Sequence, residues 1–419
     1  MKIFADLHLH SHYSRATSNK MNIENLERYG KQKGLNLIGT GDFTHPLWLK
    51  ELKGILSEND GLCYHKQSDL AFMLQAEIAV IYRQDEKSRR VHLVLFAPSF
   101  EVVDQINEFL GKYGKLASDG RPMLTRIDCA QITEKLMQIS KDIAVIPAHV
   151  WTPWYGLFGS KTGFDKIDDC FKDQTKNIFA LETGLSSDPA MNWRLSELDR
   201  FALISNSDSH SPWPSRIGRE ANVFDCELKY NDIMSILKTK DPKKFLYTIE
   251  VDPAWGKYHW DGHRMCDVCM SPKESMKNKK LCPVCKKEMT IGVEHRVEEL
   301  ADREMGFEPK GAIPFKSMIP LSELIATVYN TQPFTKKVWE ESSKLLKEFG
   351  SEFKVLLETP EENLKIITHE KIADLIIKNR EGKLKVKPGY DGVYGELVLE
   401  QEGYIKRPQQ RLDAFIKKK

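Results

Sequence analysis

The sequence predicts an α/β fold with a largely parallel sheet, followed by a cysteine-rich module and a helical segment. Three observations lead to this prediction. Strand-like apolar runs alternate with amphipathic stretches over residues 1–250, as in folds that connect parallel strands through helices. Two Cys-x-x-Cys pairs follow between residues 266 and 285. Residues 300–380 then carry apolar side chains three and four positions apart, the spacing of amphipathic helices.

The composition is that of a globular protein. The 419 residues are 41% hydrophobic and 29% charged, with a formal net charge of +2. No apolar run is long enough to span a bilayer and no signal peptide follows Lys2, so we expect a cytoplasmic protein without a membrane partner. The small net charge does not by itself indicate a nucleic-acid partner, although basic stretches occur at 273–287 and 378–387.

Seven apolar runs in the first 250 residues predict strands, and the stretches between them include amphipathic helices. The predicted strands are 3–10, 35–40, 72–81, 91–96, 143–147, 178–181 and 201–205. The predicted helices are 22–33, 102–113 and 127–140. Gly34 ends the first of these helices, and Pro98 ends the fourth strand.

Polar side chains that can bind metals fall at or near the ends of these strands. On an extended chain, residues two apart share a face, so His8 and His10 point the same way. In parallel barrels, catalytic groups collect at the edge where the strands end. The sequence therefore predicts one cluster at that edge, drawn from His8, His10, Asp42, Glu77, His92, His149, Glu182, Asp208 and His210.

The cysteine-rich stretch predicts a structural zinc ribbon. Cys266 and Cys269 form one knuckle, and Cys282 and Cys285 form a second after twelve intervening residues. Four thiolates at this spacing can hold one tetrahedral zinc ion with no position left for water. A redox-active cysteine pair is the alternative.

The C-terminal third predicts helices at 321–329, 334–349 and 371–379, then a basic loop or hairpin at 383–395. The chain ends in a tail whose spacing places Leu412, Phe415 and Ile416 after Gln409. One helical turn would gather the apolar residues into a plug for an apolar pocket. The alternative is an ordinary terminal helix that docks on its own domain.

The clustered side chains favour metal-assisted hydrolysis. Divalent cations held by His, Asp and Glu lower the pKa of water and stabilise developing negative charge, and a carboxylate such as Glu77 can bridge two of them. Phosphate esters benefit most from such clusters. No other catalytic scheme competes, because the chain lacks a Gly-x-Ser-x-Gly elbow, a P-loop and a dinucleotide-binding fingerprint.

The motifs of the first 250 residues resemble the PHP (polymerase and histidinol phosphatase) family of phosphoesterases. They are Asp6-Leu7-His8-Leu9-His10, Thr40-Gly41-Asp42, Ala76-Glu77, His92, Pro147-Ala148-His149 and Asp208-Ser209-His210. The resemblance implies a distorted (β/α)7 barrel that binds two or three divalent metals, for which zinc, manganese and magnesium all fit. It implies one metal at His8, His10, Glu77 and Asp208, and a second at Glu77, His92 and His149.

The same resemblance implies a third metal held by Asp42 and His210. Ser14-Arg15-Ala16 stands where family members often have Ser-Asp-Gly, which leaves this site one ligand short unless His12 or Glu182 substitutes. The catalytic residues it implies are Asp208, Glu77 and His210. Asp6 is expected to orient one of the imidazoles.

The whole chain, with barrel, ribbon, helical segment and tail, resembles the DNA repair endonucleases of this family. The resemblance implies cleavage of the phosphodiester 5′ to deaminated bases (uracil, hypoxanthine, xanthine) and abasic sites, leaving a 3′-hydroxyl and a 5′-phosphate. It implies damaged DNA as the partner, together with a PCNA-type sliding clamp bound through Gln409, Leu412, Phe415 and Ile416. It also implies an archaeal, nucleoid-associated protein. A small-molecule phosphatase of the histidinol-phosphate type is the alternative.

DNA contacts are expected on the loops beside the cluster. Inspection of a damaged base requires flipping and flat apolar walls, which the loop after His149 could supply. The expected contacts are Arg216, Arg219, Trp151, Trp154, Tyr155, Ser160 and Lys161. The expected domains are a metallophosphoesterase domain at 1–254, the ribbon at 255–298, a helical DNA-binding domain at 299–400 and the tail at 401–419.

Overall fold

The computed structural model describes residues 1–398 and confirms the α/β fold class. The predicted clamp-binding residues therefore lie outside the described part of the chain. The strands and helices of the first 250 residues follow in this order: β1 (Lys2–Asp6), α1 (Ile23–Lys33), β2 (Leu37–Gly39), α2 (Pro46–Ile55), β3 (Leu56–Asn59), β4 (Leu62–His65), β5 (Ala71–Gln84), β6 (Lys87–Ala97), α3 (Phe100–Leu110), β7 (Met123–Thr125), α4 (Cys129–Ile139), β8 (Ala144–Pro147), α5 (Ile167–Phe171), β9 (Ala180–Glu182), α6 (Pro189–Asn192), β10 (Ala202–Ile204), β11 (Ala221–Asp225), α7 (Tyr230–Thr239) and β12 (Phe245–Glu250).

Seven of these strands form a distorted ring in the order β1, β2, β5, β6, β8, β9 and β10. Strand pairing is parallel in β1–β2, β2–β5 and β9–β10. The ring closes through a parallel bridge between Leu9 and Ser209 and through the Val150 amide, which donates to the Glu182 carbonyl. Because the ring brings the carboxyl ends of its parallel strands together, polar residues from distant parts of the chain meet at one rim.

The sheet is less parallel than the sequence suggests. β6 pairs antiparallel with both β5 and β8. β5 and β6 form one long hairpin, in which the chain reverses direction without a crossover helix, so β6 runs opposite to β5. Outside the ring, β1 pairs antiparallel with β11, and β11 pairs antiparallel with β12. β6 therefore brings His92 to the rim from the interior of a strand and not from its end.

Local sequence determines where the helices begin and end. Asn22 caps α1 by accepting a hydrogen bond from the Asn25 amide, and Gly34 ends the helix with φ of 99°. A left-handed residue at that position satisfies the last carbonyl groups and favours glycine. Asp128 and Gln131 form a capping box at the start of α4.

The cysteine-rich stretch forms a small module of short elements. It contains β13 (Asp261–His263), β14 (Val268–Met270), α8 (Pro272–Lys277) and α9 (Val293–Leu300). The chain then returns to the barrel sheet, where β15 (Phe315–Ser317) pairs in parallel with β12.

The C-terminal segment is helical, as predicted. It contains α10 (Leu321–Val328), α11 (Lys336–Phe349), α12 (Glu352–Leu357), α13 (Glu361–Ile367) and α14 (Glu370–Arg380), followed by a hairpin of β16 (Lys385–Lys387) and β17 (Glu396–Val398). Its core is continuous with that of the barrel, since Phe353 stacks on Phe4 with ring centroids 4.8 Å apart. Within residues 1–398, no helix is long and apolar enough to cross a membrane.

A buried ion pair fastens the helical segment to the barrel. Lys33 at the end of α1 lies 2.7 Å from the Glu352 carboxylate, and their side chains are 1% and 3% exposed. Lys33 also donates to the Pro214 carbonyl at 2.9 Å, and Glu352 accepts from the Leu321 amide at 3.1 Å. The pair therefore joins α1, a rim loop and two helices of the C-terminal segment.

Replacing Glu352 by glutamine should destabilise the protein strongly. Removal of one partner leaves the Lys33 ammonium buried without a counter-charge, which lowers the free energy of unfolding by roughly 3–5 kcal/mol. The shift is measured as a lower denaturant midpoint at unchanged slope. The matched control is Glu358→Gln, which breaks the exposed Lys2–Glu358 pair and should change stability by less than about 1 kcal/mol. Equal shifts in the two variants would contradict this account of the buried pair.

Candidate active site

The rim of the barrel holds the polar cluster. His8 and His10 follow β1, Glu77 lies in β5, His149 follows β8 and Asp208 follows β10. Asp208 and His149 have positive φ angles of 46° and 30°. Such backbone angles are uncommon outside glycine and concentrate at functional sites.

Four rim residues form a first potential metal group. One ligand atom from each of His8, His10, Glu77 and Asp208 lies within 4.8 Å of the others. His10 Nε2 is 3.1 Å from Asp208 Oδ1 and 3.2 Å from Glu77 Oε2. His8 Nε2 is 3.6 Å from the same Glu77 oxygen.

A second potential metal group contains Glu77, His92 and His149. Glu77 Oε1 is 2.6 Å from His92 Nδ1 and 3.0 Å from His149 Nε2. Glu77 thus offers one oxygen to each group, which is the arrangement of a carboxylate that bridges two metals.

Partners behind the imidazoles fix their orientation. Glu182 lies 3.0 Å from His8 Nδ1, and Asp42 lies 2.9 Å from His10 Nδ1. Thr152 Oγ1 lies 2.9 Å from His149 Nδ1. Because a carboxylate accepts a hydrogen bond from the Nδ1–H group, Nε2 of His8 and Nε2 of His10 face the cluster.

The residues present fit divalent cations. His8 Nε2 is fully buried and has no hydrogen-bond partner among the described residues, although it faces two carboxylates. A lone pair aimed at anions needs a cation between them. Imidazole and carboxylate donors together suit zinc, manganese and related ions.

Charges in the cluster also shift the pKa values of its side chains. Burial opposes the charged form of His8, but Glu182 and Glu77 outweigh it and raise the pKa of His8 well above its ordinary value. Burial likewise opposes ionisation of Glu77, yet His92 and Arg121 hold the pKa of Glu77 well below its ordinary value. The carboxylate is therefore ionised and available to cations.

The expected third metal site is not assembled in the described residues. Asp42 faces away from the rim: its Oδ2 accepts from the Ser11 amide at 2.6 Å and from Ser14 Oγ at 3.0 Å. His210 packs on His10 with ring centroids 4.5 Å apart and belongs to neither metal group. The structure therefore corrects the expectation for Asp42, which orients His10.

Asp6 was expected to orient an imidazole, and this expectation is also wrong. Its carboxylate accepts from the Ser207 amide at 3.0 Å and from the Gly218 amide at 2.7 Å. Burial raises the pKa of Asp6 to about 6. Asp6 thus holds both ends of the loop that carries Asp208, and Glu182 takes the orienting role.

Arg121 is a site residue that the sequence reasoning missed. Its guanidinium donates to Glu77 Oε2 at 2.9 Å, beside the first metal group. The preceding Gly120 is the signal that could have revealed it: a Cβ at this position would overlap the Asp42 carboxylate. Only glycine lets this loop approach the rim so closely.

The predicted DNA-contact residues divide into buried and accessible ones. Trp151 is 1% exposed and donates to Asn192 Oδ1 at 2.8 Å, so it is a core residue. Arg219 donates to the Ser207 carbonyl at 2.9 Å and supports the rim loop. Trp151 therefore corrects the expectation, whereas Arg219 is half-buried and its contact with DNA stays a prediction.

The remaining predicted contacts are accessible. Tyr155 packs on His92 with ring centroids 4.3 Å apart, and Trp154 is 53% exposed. Ser160 and Lys161 are exposed, and Arg216 is half-buried. Trp154 and Lys161 line an open groove of about 440 Å³ together with Lys87, Ser88, Arg89, Arg90 and Thr162.

The cysteine module differs from the expected four-cysteine site. His263, Cys266, Cys282 and Cys285 each bring a ligand atom within 4.8 Å of the others, and Cys269 is outside this group. Cys269 pairs with Gly262 across the β13–β14 hairpin, and His263 pairs with Val268. Directly opposed residues share a face and neighbours alternate, so Cys269 lies on the opposite face from His263, where it contacts the Pro388 carbonyl.

Comparison with known proteins places the chain among nucleases. The lesion-specific endonuclease PfuEndoQ from Pyrococcus furiosus has a similar structure, with a TM-score of 0.86, 32% identity and 100% coverage of both chains. An endonuclease Q complex with a 27-mer duplex substrate that carries an abasic lesion at the active site gives a TM-score of 0.84 and 33% identity, covering 99% of this chain and 100% of that one.

Sequence comparison adds a curated relative and a family match. MJ0043 of Methanocaldococcus jannaschii is 34% identical over 276 residues, which are 64% of this chain. The chain spans only 34% of the length of that relative. The family described as MJ0043 C-terminal domain matches residues 320–383, within the helical segment.

The orienting role of Glu182 can be tested with Glu182→Gln. Both carboxylate oxygens of Glu182 lie 3.0 Å from His8 Nδ1, and the glutamine side chain keeps only one oxygen that can accept a hydrogen bond. His8 should therefore lose its fixed orientation, and metal affinity should fall about 10- to 100-fold. Competition with a fluorescent chelator measures the change. The control is Glu220→Gln: burial keeps the pKa of Glu220 well above its ordinary value, so the amide replaces a neutral acid and metal affinity should not change. Wild-type affinity in the Glu182 variant would contradict the assignment.

Proposed function

The chain belongs to the endonuclease Q family of DNA endonucleases, and we propose that it is a metal-dependent repair enzyme that cuts DNA at lesions. The observation that carries this proposal is the pair of potential metal groups sharing Glu77 at the barrel rim. The solved relative with an abasic duplex at its active site supports lesion-containing DNA as the substrate.

The proposed metal ligands are His8, His10, Glu77 and Asp208 for one cation, and Glu77, His92 and His149 for a second. Bound divalent cations would polarise the phosphodiester and lower the pKa of water at the rim. Zinc, manganese and magnesium all suit parts of this donor set.

His210 is proposed to accept a proton from the attacking water through Nε2 and to return that proton to the leaving 3′-oxygen of the substrate. Its Nδ1 lies 3.1 Å from the Asp208 carbonyl oxygen, which can only accept. Nδ1 therefore carries the hydrogen, and Nε2 presents a lone pair. Burial and the neighbouring His10 lower the pKa of His210, which favours this neutral form.

The loop after His149 is proposed to receive the damaged nucleotide. Trp154 and Tyr155 offer aromatic faces, and Ser160 and Lys161 offer polar groups beside them. A base flipped out of the duplex can stack on such rings, with its phosphates in the adjoining basic groove. Arg216 is proposed to contact a phosphate close to Asp208.

The proposed reaction cleaves the phosphodiester 5′ to the lesion and leaves a 3′-hydroxyl and a 5′-phosphate. The proposed lesions are uracil, hypoxanthine, xanthine and abasic sites. The tail residues Gln409, Leu412, Phe415 and Ile416 are proposed to bind a PCNA-type sliding clamp, a proposal supported by the sequence pattern alone.

Asp208→Ala should abolish nicking while the protein still binds damaged DNA. The variant loses one ligand of the first metal group, so nicking should fall on the order of 100- to 1,000-fold or more. The assay compares uracil, hypoxanthine, abasic and undamaged duplexes and maps the product ends, with a phosphate monoester as the control substrate. Nicking at the wild-type rate by this variant would contradict the assignment of Asp208 as a metal ligand. Preferential hydrolysis of the monoester by the wild-type protein would instead favour a small-molecule phosphatase.

The cysteine module is proposed to hold one structural zinc ion through His263, Cys266, Cys282 and Cys285. His263→Ala should reduce zinc content by one ion per chain and lower the melting temperature, because it opens the tetrahedral site. Cys269→Ser should retain the full zinc content. Zinc is quantified by a colorimetric chelator after denaturation, and loss of zinc in the Cys269 variant with retention in the His263 variant would restore the four-cysteine site.

A further inference from the structure

Three aromatic side chains from separate parts of the chain meet on the surface near the barrel rim. Tyr29 lies in α1, Trp213 lies in the loop after His210, and Trp339 lies in α11. The Tyr29 ring is 5.3 Å from that of Trp213 and 6.3 Å from that of Trp339, and both contacts are edge-on. We call these three residues the aromatic cluster.

The two tryptophans are unusually exposed for residues of this size. Trp213 is 39% exposed and Trp339 is 45% exposed, whereas Tyr29 between them is 7% exposed. Tyr29 is therefore buried beneath the two indole rings, which are partly exposed to solvent. Large exposed aromatic side chains that lie together commonly mark an interaction surface.

The aromatic cluster is rigidly supported. Lys33, one turn beyond Tyr29 in α1, donates to the Pro214 carbonyl, directly after Trp213. The same ammonium pairs with Glu352, which fixes the helical segment that carries Trp339. Preorganised aromatic rings lose little conformational entropy when a partner binds.

The surroundings of the aromatic cluster are mainly basic. The Arg28 guanidinium lies 5.4 Å from the centroid of the Tyr29 ring, and Lys336 and Lys337 are exposed at the start of α11. Arg216 lies three residues after Trp213. The exposed acids nearby are Glu24 in α1 and Glu340, which lies 3.6 Å from Lys336.

We propose that the aromatic cluster binds the DNA that flanks the lesion. Cations attract the phosphates of DNA, and exposed aromatic rings beside them can pack against sugars and unpaired bases. The loop that carries Trp213 begins at Asp208 and His210, so the cluster continues the active-site rim onto the helical segment. DNA leaving the rim on this side meets the two indoles and the neighbouring cations. This inference rests on the proposed function, because it assigns a second contact to the same substrate.

The test measures how DNA affinity depends on duplex length. Fluorescence anisotropy with the full-length protein compares a 30-bp abasic duplex with a short abasic duplex confined to the lesion and its immediate neighbours. The variants are Trp213→Ala, Trp339→Ala and the double variant. The double variant should lose at least about 10-fold of its affinity for the long duplex, because it removes both indoles from the surface that the flanking DNA would cover. The ratio of long-duplex to short-duplex affinity should fall toward one.

Two further variants test whether a change in the ratio is specific to the aromatic cluster. Phe307→Ala removes another exposed aromatic side chain, which packs on Arg303, and should leave the ratio unchanged. Trp339→Glu places a negative charge on the surface of α11 and should reduce the ratio even if the double alanine variant is poorly folded.

The possible outcomes separate this inference from the proposed function. Wild-type protein that nicks abasic DNA, together with ratios within twofold of wild type in the double and Trp339→Glu variants, overturns the inference and leaves the proposed function intact. Wild-type protein that does not nick any damaged duplex overturns the proposed function. A reduced ratio in the double alanine variant and in the Trp339→Glu variant, with an unchanged ratio in the Phe307→Ala variant, supports the aromatic cluster as a DNA contact.

Discussion

Everything at the barrel rim depends on one buried carboxylate. Glu77 has no exposed surface, and it faces His10 with one oxygen and His92 with the other. An ionised group at such a depth is unfavourable unless cations surround it. Arg121 meets this requirement in part, since its guanidinium lies 2.9 Å from Glu77 Oε2, and cations held by the four imidazoles would meet the remainder. Bound divalent cations would therefore stabilise the cluster.

The rest of the structure keeps this cluster in place. Glu182 and Asp42 turn two imidazoles inward from behind. Asp6 holds both ends of the loop that carries Asp208, and Lys33 supports the middle of that loop. Because Lys33 also pairs with Glu352, the geometry of the rim is tied mechanically to the helical segment. The Lys33–Glu352 ion pair also supports the aromatic cluster, which we propose binds the flanking DNA.

The expectations that failed share a physical cause. The sequence identified Asp42, Asp6 and Trp151 as polar or aromatic residues next to strand ends, but it could not tell which way each side chain points. Asp42 turns behind His10, and Asp6 turns toward backbone amides on the other side of the ring. Trp151 turns into the core. Cys269 fits the spacing of a zinc knuckle, yet the register of the β13–β14 hairpin puts it on the wrong face.

The sequence by itself determined the fold class, the approximate bounds of most barrel strands and the donor types of the cluster, because these follow from local periodicity. A period of two places His8 and His10 on one face whatever the rest of the chain does. Only the tertiary structure decided which donors converge. His10 and Asp208 are 198 residues apart, and their contact depends on closure of the strand ring. The distinction between a side chain that faces the rim and one that supports it from behind, as for Asp208 and Asp42, is a matter of ångströms set by packing, and no local pattern encodes it.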